Sequence, residues 1–286
     1  MPIDYQRLMG WRFADVEQSY AARDTILYAL GVGLGLPADD PAQLPFVYEA
    51  GLAALPTMAT VLGYPGFWLK DPRTGVDWRR IVHGEQGLRL ARPLPPAGTV
   101  IGRTRVTGLL DKGKDKGALL FSEREVVDKA SGALLATLSA TTFLRGDGGF
   151  GGPAGPAPAP HPIPERAPDI SCELPTSPQA ALVYRLSGDD NPLHVDPAVA
   201  AAAGFPHPIL HGLASFGVVG HDLLKCVCAW RPERLASMAA RFSAPVFPGE
   251  TVRTEIWREA GAVAFRARVP ARDVVVVNNG RAELAA

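Results

Sequence analysis

Between Asp189 and His194 the chain sets a carboxylate, an amide (Asn191) and an imidazole within six residues, inside the stretch YRLSGDDNPLHVDPAVAAAAGFPHPILHGLASFG that runs from Tyr184 to Gly217. A neutral imidazole takes a proton from water near neutral pH, and a carboxylate accepts the water's other hydrogen and can later serve as acid. That pair suits addition of water to a double bond, or its removal. Asn191 offers donor and acceptor groups to orient the water or the carboxylate, and Pro192 stiffens the loop. The same letters also make an ordinary turn, in which Asp189 only accepts backbone N–H groups and His194 is a hydrogen-bonded structural residue. A second feature tilts the balance toward chemistry: His211-Gly212-Leu213 stands just before a long apolar segment. A helix starting there presents unpaired N–H groups and partial positive charge, and glycine lets a ligand oxygen approach closely, so the Gly212 N–H is a candidate oxyanion donor. Losing such a donor costs on the order of 3 kcal/mol. The alternative for Gly212 is a tight entry into the helix.

The elements that must hold these residues read as follows. Thr176 or Ser177 can cap, and Pro178 can open, a helix over PQAALVYRLSG that stops at Gly188; Asp196 and Pro197 open a short Ala-rich helix that Gly204 ends; Leu213 to Trp230 is a long apolar helix. Four strand patterns follow in ASMAARFSAPVF, TVRTEIWREA, AVAFRARVP and VVVVNNGRAEL. The first half has the same order. SYAARDTILYALGVGLG is a helix with Ser19 as cap and Gly31 and Gly33 as stop, Phe46 to Gly63 is a short or broken helix around Leu55-Pro56, and four strands follow in GLRLARPL, TVIGRTRVTGLL, GALLFSEREVV and ALLATLSATTFLR. Between the halves lies GDGGFGGPAGPAPAPHPIPERAP, where Gly and Pro prevent helix or ladder and His161 is expected to be solvated. The expected division is 1–147, a linker at 148–168, and 169–286, each unit an α+β arrangement of helices and an antiparallel sheet.

The halves also match in letters. Pro93-Leu94-Pro95-Pro96-Ala97-Gly98-Thr99-Val100 aligns with Pro245-Val246-Phe247-Pro248-Gly249-Glu250-Thr251-Val252, and Tyr28-Ala29-Leu30-Gly31 aligns with Tyr184-Arg185-Leu186-Ser187 at nearly the same offset. Where the second copy continues Gly188-Asp189-Asp190-Asn191, the first has Val32-Gly33-Leu34-Gly35, so only the second carries the chemistry.

Composition bounds the rest. The 286 residues are 47% apolar, enough for a core, and 29 Lys and Arg balance 29 Asp and Glu without a long run of one sign, which argues against nucleic acid or an anionic membrane as partner. No signal-peptide pattern and no apolar run of spanning length are present, so a soluble, cytoplasmic protein is expected. Cys172, Cys226 and Cys228 show neither metal-ligand spacing nor a paired framework, and Cys226 and Cys228 read as packing residues inside a helix.

With these residues assembled, the chain resembles the MaoC-like dehydratase family of the hydratase 2 type, as in the (R)-specific 2-enoyl-CoA hydratase unit of peroxisomal multifunctional enzyme type 2. YRLSGDxNPLH followed by DPxxAxxAGFxxPILHGLxxFG carries the likeness, and RDTILYALGVG, VHGEQGLRLARPLPPAG, LLDKG, GGFGG and ARFSAPVFPGETVRTEIW extend it over nearly the whole chain. The resemblance implies a double hotdog, two tandem helix-wrapped antiparallel sheets, with the chemistry in the second and a widened acyl space in the first. It implies hydration of trans-2-enoyl-CoA to (3R)-3-hydroxyacyl-CoA and the reverse dehydration, with Asp189 and His194 activating water, Asn191 in support and the Gly212 N–H on the thioester carbonyl. It carries acyl-CoA contacts onto His83, Gly84, Lys112, the loop of Asp189, Asp190, Pro192, Leu193 and His194, Gly212, and Phe242. It implies no metal and no cofactor beyond the CoA thioester substrate, and admits a homodimer of double hotdogs. By composition alone Lys112 is a solvated turn lysine, His83 a local cap or pair, and Phe242 a core residue. Asp190 stands where related sequences often have an aromatic, and is expected to face solvent. Branched, dicarboxylic or sterol-derived acyl-CoA, thioester hydrolysis, and a noncatalytic acyl-CoA binding subunit are the competing readings; Phe46 to Leu69 is the stretch expected to line a tail pocket.

Overall fold

A computed structural model of the chain describes residues 3–285. The first half opens with α1 (Tyr5–Met9), β1 (Val16–Tyr20), α2 (Ala22–Gly31) and α3 (Leu44–Val47), then a 3₁₀ turn at Pro56–Val61, and continues as β2 (Ile81–Leu90), β3 (Gly98–Asp111), β4 (Ala118–Asp128) and β5 (Leu134–Leu144). The second half is β6 (Ile170–Pro175), α4 (Ala180–Tyr184), α5 (Pro197–Ala202), α6 (Gly212–Cys226), then β7 (Leu235–Phe242), β8 (Thr251–Glu259), β9 (Ala262–Val269) and β10 (Val274–Leu284). All ladders are antiparallel, and the strands run β1-β3-β4-β5-β2-β7-β10-β9-β8-β6. Read outward from the centre, both halves have the same order, so the duplication seen in the letters is also a duplication of topology. This is the double hotdog, with one refinement: the two sheets join edge to edge at β2 and β7 into a single sheet of ten strands. Glu85 faces Arg241 across that seam, and their side chains pair at 2.7 Å.

Helix α6 lies within the curved sheet and buries Ala214, Phe216, Val218, Val219, Leu223 and Leu224, which is why its sequence is apolar nearly all round. The corresponding place in the first half holds only the 3₁₀ turn. Pro56 opens that turn, and Gly63, at φ +60°, closes it where the backbone of Gly102 comes so near that a Cβ on Gly63 would stand 2.6 Å from the Gly102 Cα. The turn packs onto α6 so closely that a Cβ on Gly220 would meet Thr57 Cγ2 at 2.5 Å.

Several expectations are corrected. Ser19 does not cap α2; it lies in β1, a short edge strand opposite β3, and its hydroxyl pairs with Thr99 at 2.9 Å. Asp24 reaches back instead to the Ala21 N–H at 2.8 Å. β1 and β6 escape the reading because five or six residues of alternation leave little periodic signal. β2 starts at Ile81, which puts His83 and Gly84 inside a strand, and ends at Leu90, before Pro93. Helix α6 stops at Cys226, and Ala229 and Trp230 take positive φ. Cys226 pairs with Cys172 in a disulfide that ties the end of α6 to β6, while Cys228 is a buried thiol just past the helix. Spacing in sequence cannot show this, because the partners meet only once α6 packs on β6. No helix or strand occurs over 148–168, yet the start of this stretch is fastened: the Asp111 carboxylate accepts from the N–H groups of Gly113, Gly149 and Gly151 at 2.8, 2.7 and 2.9 Å. His161 is half-buried rather than solvated, with Nε2 3.2 Å from Glu259.

Candidate active site

The loop between α4 and α5 folds by its own side chains. Gly188 ends the 3₁₀ turn Arg185–Ser187 that follows α4, at φ +113°, which favours glycine, and the Asp189 carboxylate accepts from the Asn191 N–H at 3.2 Å. Asn191 Oδ1 then caps a single 3₁₀ turn, Pro192–His194, by accepting from the Leu193 N–H at 3.2 Å. The turn reading and the chemical reading therefore hold together: the turn is what aims His194 inward. His194 is buried, and its Nδ1 lies 2.8 Å from the Ile209 carbonyl. A carbonyl only accepts, so Nδ1 carries the proton and Nε2 keeps its lone pair. Burial pushes the His194 imidazole below its ordinary pKa of 6.5, which keeps it neutral and fit to act as base.

Asp189, His194 and His211 bring a carboxylate oxygen and two imidazole nitrogens within 4.8 Å of one another. A water molecule held in the gap among these atoms would meet all three groups, and the same three are those that would meet a small cation. His211 was read from sequence only as the neighbour of Gly212. In the fold its ring stacks on His194 with centroids 3.7 Å apart, its Nε2 donates to the Asp189 carbonyl at 3.2 Å, and the Tyr184 ring lies tilted against it at 5.0 Å. Burial, then the neighbouring His194, lowers the His211 pKa to about 4. Its adjacency to Gly212 was the signal that could have raised it to a site residue.

Gly212 is the first residue of α6, and the first intrahelical bond above it runs from the Ser215 N–H to the His211 carbonyl at 3.0 Å. The Gly212 N–H therefore points beyond the helix end. A Cβ there would stand 3.8 Å from the Phe242 ring, and that ring meets His83 edge-on at 5.0 Å. Phe242, at the end of β7, is thus half-buried in the site wall rather than in the core. His83 comes from β2 across the seam, at a bulge between the His83/Thr142 and Glu85/Thr141 pairs that contains Gly84. Its Nε2 donates to the Glu85 carbonyl at 3.1 Å, and burial lowers its pKa to about 4.

The fold thus assembles Asp189, His194, Gly212, His83, Gly84 and Phe242 from both halves. Asn191 supports the loop through its cap, and Leu193 is half-buried behind it. Asp190 and Pro192 are exposed. Lys112 is exposed in the turn after β3, its N–H bonded to the Gly117 carbonyl, with no hydrogen bond or ion pair to this group among the described residues. Sequence reasoning missed Arg124 of β4, whose charge acts on His83 and Tyr184; its guanidinium donates to the Thr60 carbonyl at 2.6 Å and stands 5.4 Å from the Tyr64 ring, and burial lowers its pKa to about 10. An arginine alternating along a strand gives no sign of facing inward until the register is known. Of the stretch expected to hold an acyl tail, Leu52, Ala53, Ala54 and Pro56 line a cavity of about 230 Å³ with Leu90 and Leu94. It sits toward the far end of β2, six residues and so about 20 Å from Gly84.

The chain is similar to known proteins over nearly its whole length. The family described as MFE-2 hydratase 2 N-terminal domain matches residues 18–146, and the family described as MaoC like domain matches residues 160–279. The 3-hydroxyacyl-thioester dehydratase Y of Mycobacterium tuberculosis is 43% identical over 274 residues, covering 92% of each chain. The peroxisomal enoyl-CoA hydratase 2 of Arabidopsis thaliana is 38% identical over 286 residues, covering 94% of this chain and 92% of its own. The crystal structure of a MaoC-like dehydratase from Phytophthora capsici superimposes with a TM-score of 0.87 at 35% identity, over 99% of this chain and 98% of that one.

Proposed function

The chain belongs to the MaoC-like dehydratase family, with hydratase 2 features in both halves, and from that membership we propose that it hydrates trans-2-enoyl-CoA to (3R)-3-hydroxyacyl-CoA and catalyses the reverse dehydration. The observation that carries the reading is a His194 whose Nδ1 proton is held by the Ile209 carbonyl, leaving Nε2 its lone pair, with the Asp189 carboxylate within 4.8 Å of the ring, together with the helix-end N–H at Gly212.

A water in that gap gives one proton to His194 Nε2 while its other hydrogen is held by Asp189. Its oxygen bonds C3 of the enoyl group, and the electron pair of the C2=C3 bond moves toward the thioester oxygen, which the Gly212 N–H and the positive end of α6 stabilise. A proton returned from the acid–base pair to C2 completes the product, so every atom of one water enters it and no electrons leave the substrate. The reaction therefore needs no redox cofactor.

No helix among the described residues is long and apolar enough to cross a membrane. A cytoplasmic setting and a homodimer complete the proposal, tested by cell fractionation and sedimentation. The deciding experiment follows loss of enoyl absorbance with crotonyl-CoA and longer enoyl-CoA, with chiral analysis of the product. Asp189→Asn and His194→Gln are each expected to lose at least ~10²-fold in kcat while keeping the fold. Retained activity in either variant, or an (S)-product, refutes the reading.

A further inference from the structure

One end of the first half carries an aromatic and cationic ledge that takes no part in the hydration step, and, resting on the hydratase reading, we infer that Trp78, Lys70 and Arg79 there hold the phosphorylated adenine end of the CoA thioester. Trp78 is half-buried in the turn before β2. Lys70 Nζ lies 5.3 Å from its ring centroid and 4.9 Å from that of Phe67, and the Arg79 guanidinium lies 4.7 Å from the Trp78 ring. Phe67 meets Trp78 edge-on at 6.1 Å and so fixes the ring's angle.

The ledge continues onto the turn after β3. The Arg145 N–H donates to the Arg80 carbonyl at 3.1 Å, the Asp77 N–H donates to the Asp147 carboxylate at 3.1 Å, and a Cβ on Gly148 would stand 2.1 Å from the Gly113 carbonyl oxygen. Residues 77–80, 145–149 and 112–117 are therefore one surface. Among the described residues, Lys70, Arg79, Lys112, Lys114 and Lys116 form no ion pair. Of the nearby acids, Asp71 pairs with Arg73 at 2.6 Å, Asp111 accepts three backbone N–H groups and Asp147 accepts from the Asp77 N–H, while the Asp77 carboxylate, next to Trp78, has no hydrogen bond or ion pair among the described residues. Asp115 is exposed among the lysines. Elsewhere in this charge-balanced chain arginines are mostly matched with carboxylates, so a run of unmatched cations around a ring is a local feature. A purine stacks on such a ring, and cations with free donors meet phosphate oxygens in charge-assisted bonds.

The distances suit the molecule. Trp78 is five residues before His83, at most about 17 Å along extended chain. The His83 ring is 5.0 Å from Phe242, which borders Gly212. About 13 bonds separate a CoA thioester sulfur from the first phosphorus, roughly 16 Å when extended, by ordinary bond lengths. A thioester carbonyl at Gly212 thus leaves the nucleotide within reach of the ledge.

The test compares hydration of crotonyl-CoA with that of crotonyl-pantetheine, which lacks the nucleotide, in the wild type, Lys70→Glu, Arg79→Glu and Trp78→Ala. The expected result is a KM for the CoA thioester raised roughly tenfold, the size of one charge-assisted contact, while KM for the pantetheine thioester moves less than about twofold. The two charge reversals lie on exposed side chains, so they keep the test decisive if Trp78→Ala fails to fold. Adenosine 3′,5′-bisphosphate should inhibit the wild type competitively and bind the reversed variants more weakly by calorimetry. An unchanged KM for CoA, or equal changes with both thioesters, overturns the assignment. If the wild type hydrates neither thioester, the hydratase reading fails instead, and calorimetry with the bisphosphate still decides the ledge: loss of binding in the reversed variants supports it, and unchanged binding overturns it.

Discussion

Replacing Gly212 by proline deletes the proposed oxyanion donor while asking little of the fold. Gly212 is the first residue of α6, the position where proline is best tolerated, and its N–H is outside the helical ladder, whose first bond is the one from Ser215 to His211. Proline also restricts the residue before it to extended conformations, and His211 already sits at φ −57°, ψ 138°. The helix should therefore form unchanged, with a melting temperature close to that of the wild type. What is lost is one N–H at the end of a 15-residue helix, in a pocket walled by Phe242 and His83. An oxyanion donor of this kind contributes about 3–4 kcal/mol, so kcat should fall by about 10²–10³-fold, and the proline ring standing where the thioester oxygen docks adds to the loss. Gly212→Ala is the control: it keeps the N–H, and its Cβ meets the Phe242 ring at an ordinary 3.8 Å, so it should stay within about tenfold of the wild type. The assay is steady-state hydration of crotonyl-CoA, with circular dichroism to verify folding. A folded Gly212→Pro variant within about fivefold of Gly212→Ala would remove the helix end from the mechanism.

Three other outcomes can be checked. His211→Phe keeps a ring beside His194 but loses the Nε2 donation to the Asp189 carbonyl, leaving that oxygen short of a partner; at about 1–3 kcal/mol, kcat/KM should drop about five- to 150-fold, and unchanged kinetics would make His211 a packing residue only. Acid should destabilise the fold. His83, His211 and His221 have pKa values lowered by burial to about 4 against 6.5 when unfolded, so the unfolded chain takes up protons first and stability declines as pH falls from 6.5 through 4, by about 2 kcal/mol per histidine at pH 5; flat urea midpoints across that window would contradict this. Asp222 works in the opposite sense. Burial raises its carboxyl to about 7 although Thr254 Oγ1 donates to it at 2.5 Å, so stability is lost as pH rises from about 4 through 7, and Asp222→Asn should abolish most of that alkaline decline, by a few kcal/mol at pH 8 in chemical denaturation.

The duplication was legible because it left traces in letters, Pro-rich turns and helix stops, and the topology repeats it strand for strand. The long strands and α6 were legible because each buries one face or all of its surface, and periodicity records burial. Short edge strands such as β1 and β6 leave too few residues for such a record, and the seam between β2 and β7 leaves none, since pairing across it depends on where the halves dock. The Cys172–Cys226 bond escaped for the same reason.

For the chemistry the division is similar. The order Asp189, Asn191, His194 and the helix start at Gly212 are written in one stretch, because a turn and a helix end are local structures made by neighbouring residues. Tertiary structure alone decided that His194 stays neutral with Nε2 free, that His211 stacks on it, and that His83 and Arg124 arrive from the other half. Those facts depend on burial and on contacts between residues distant in the chain, which no local spacing encodes.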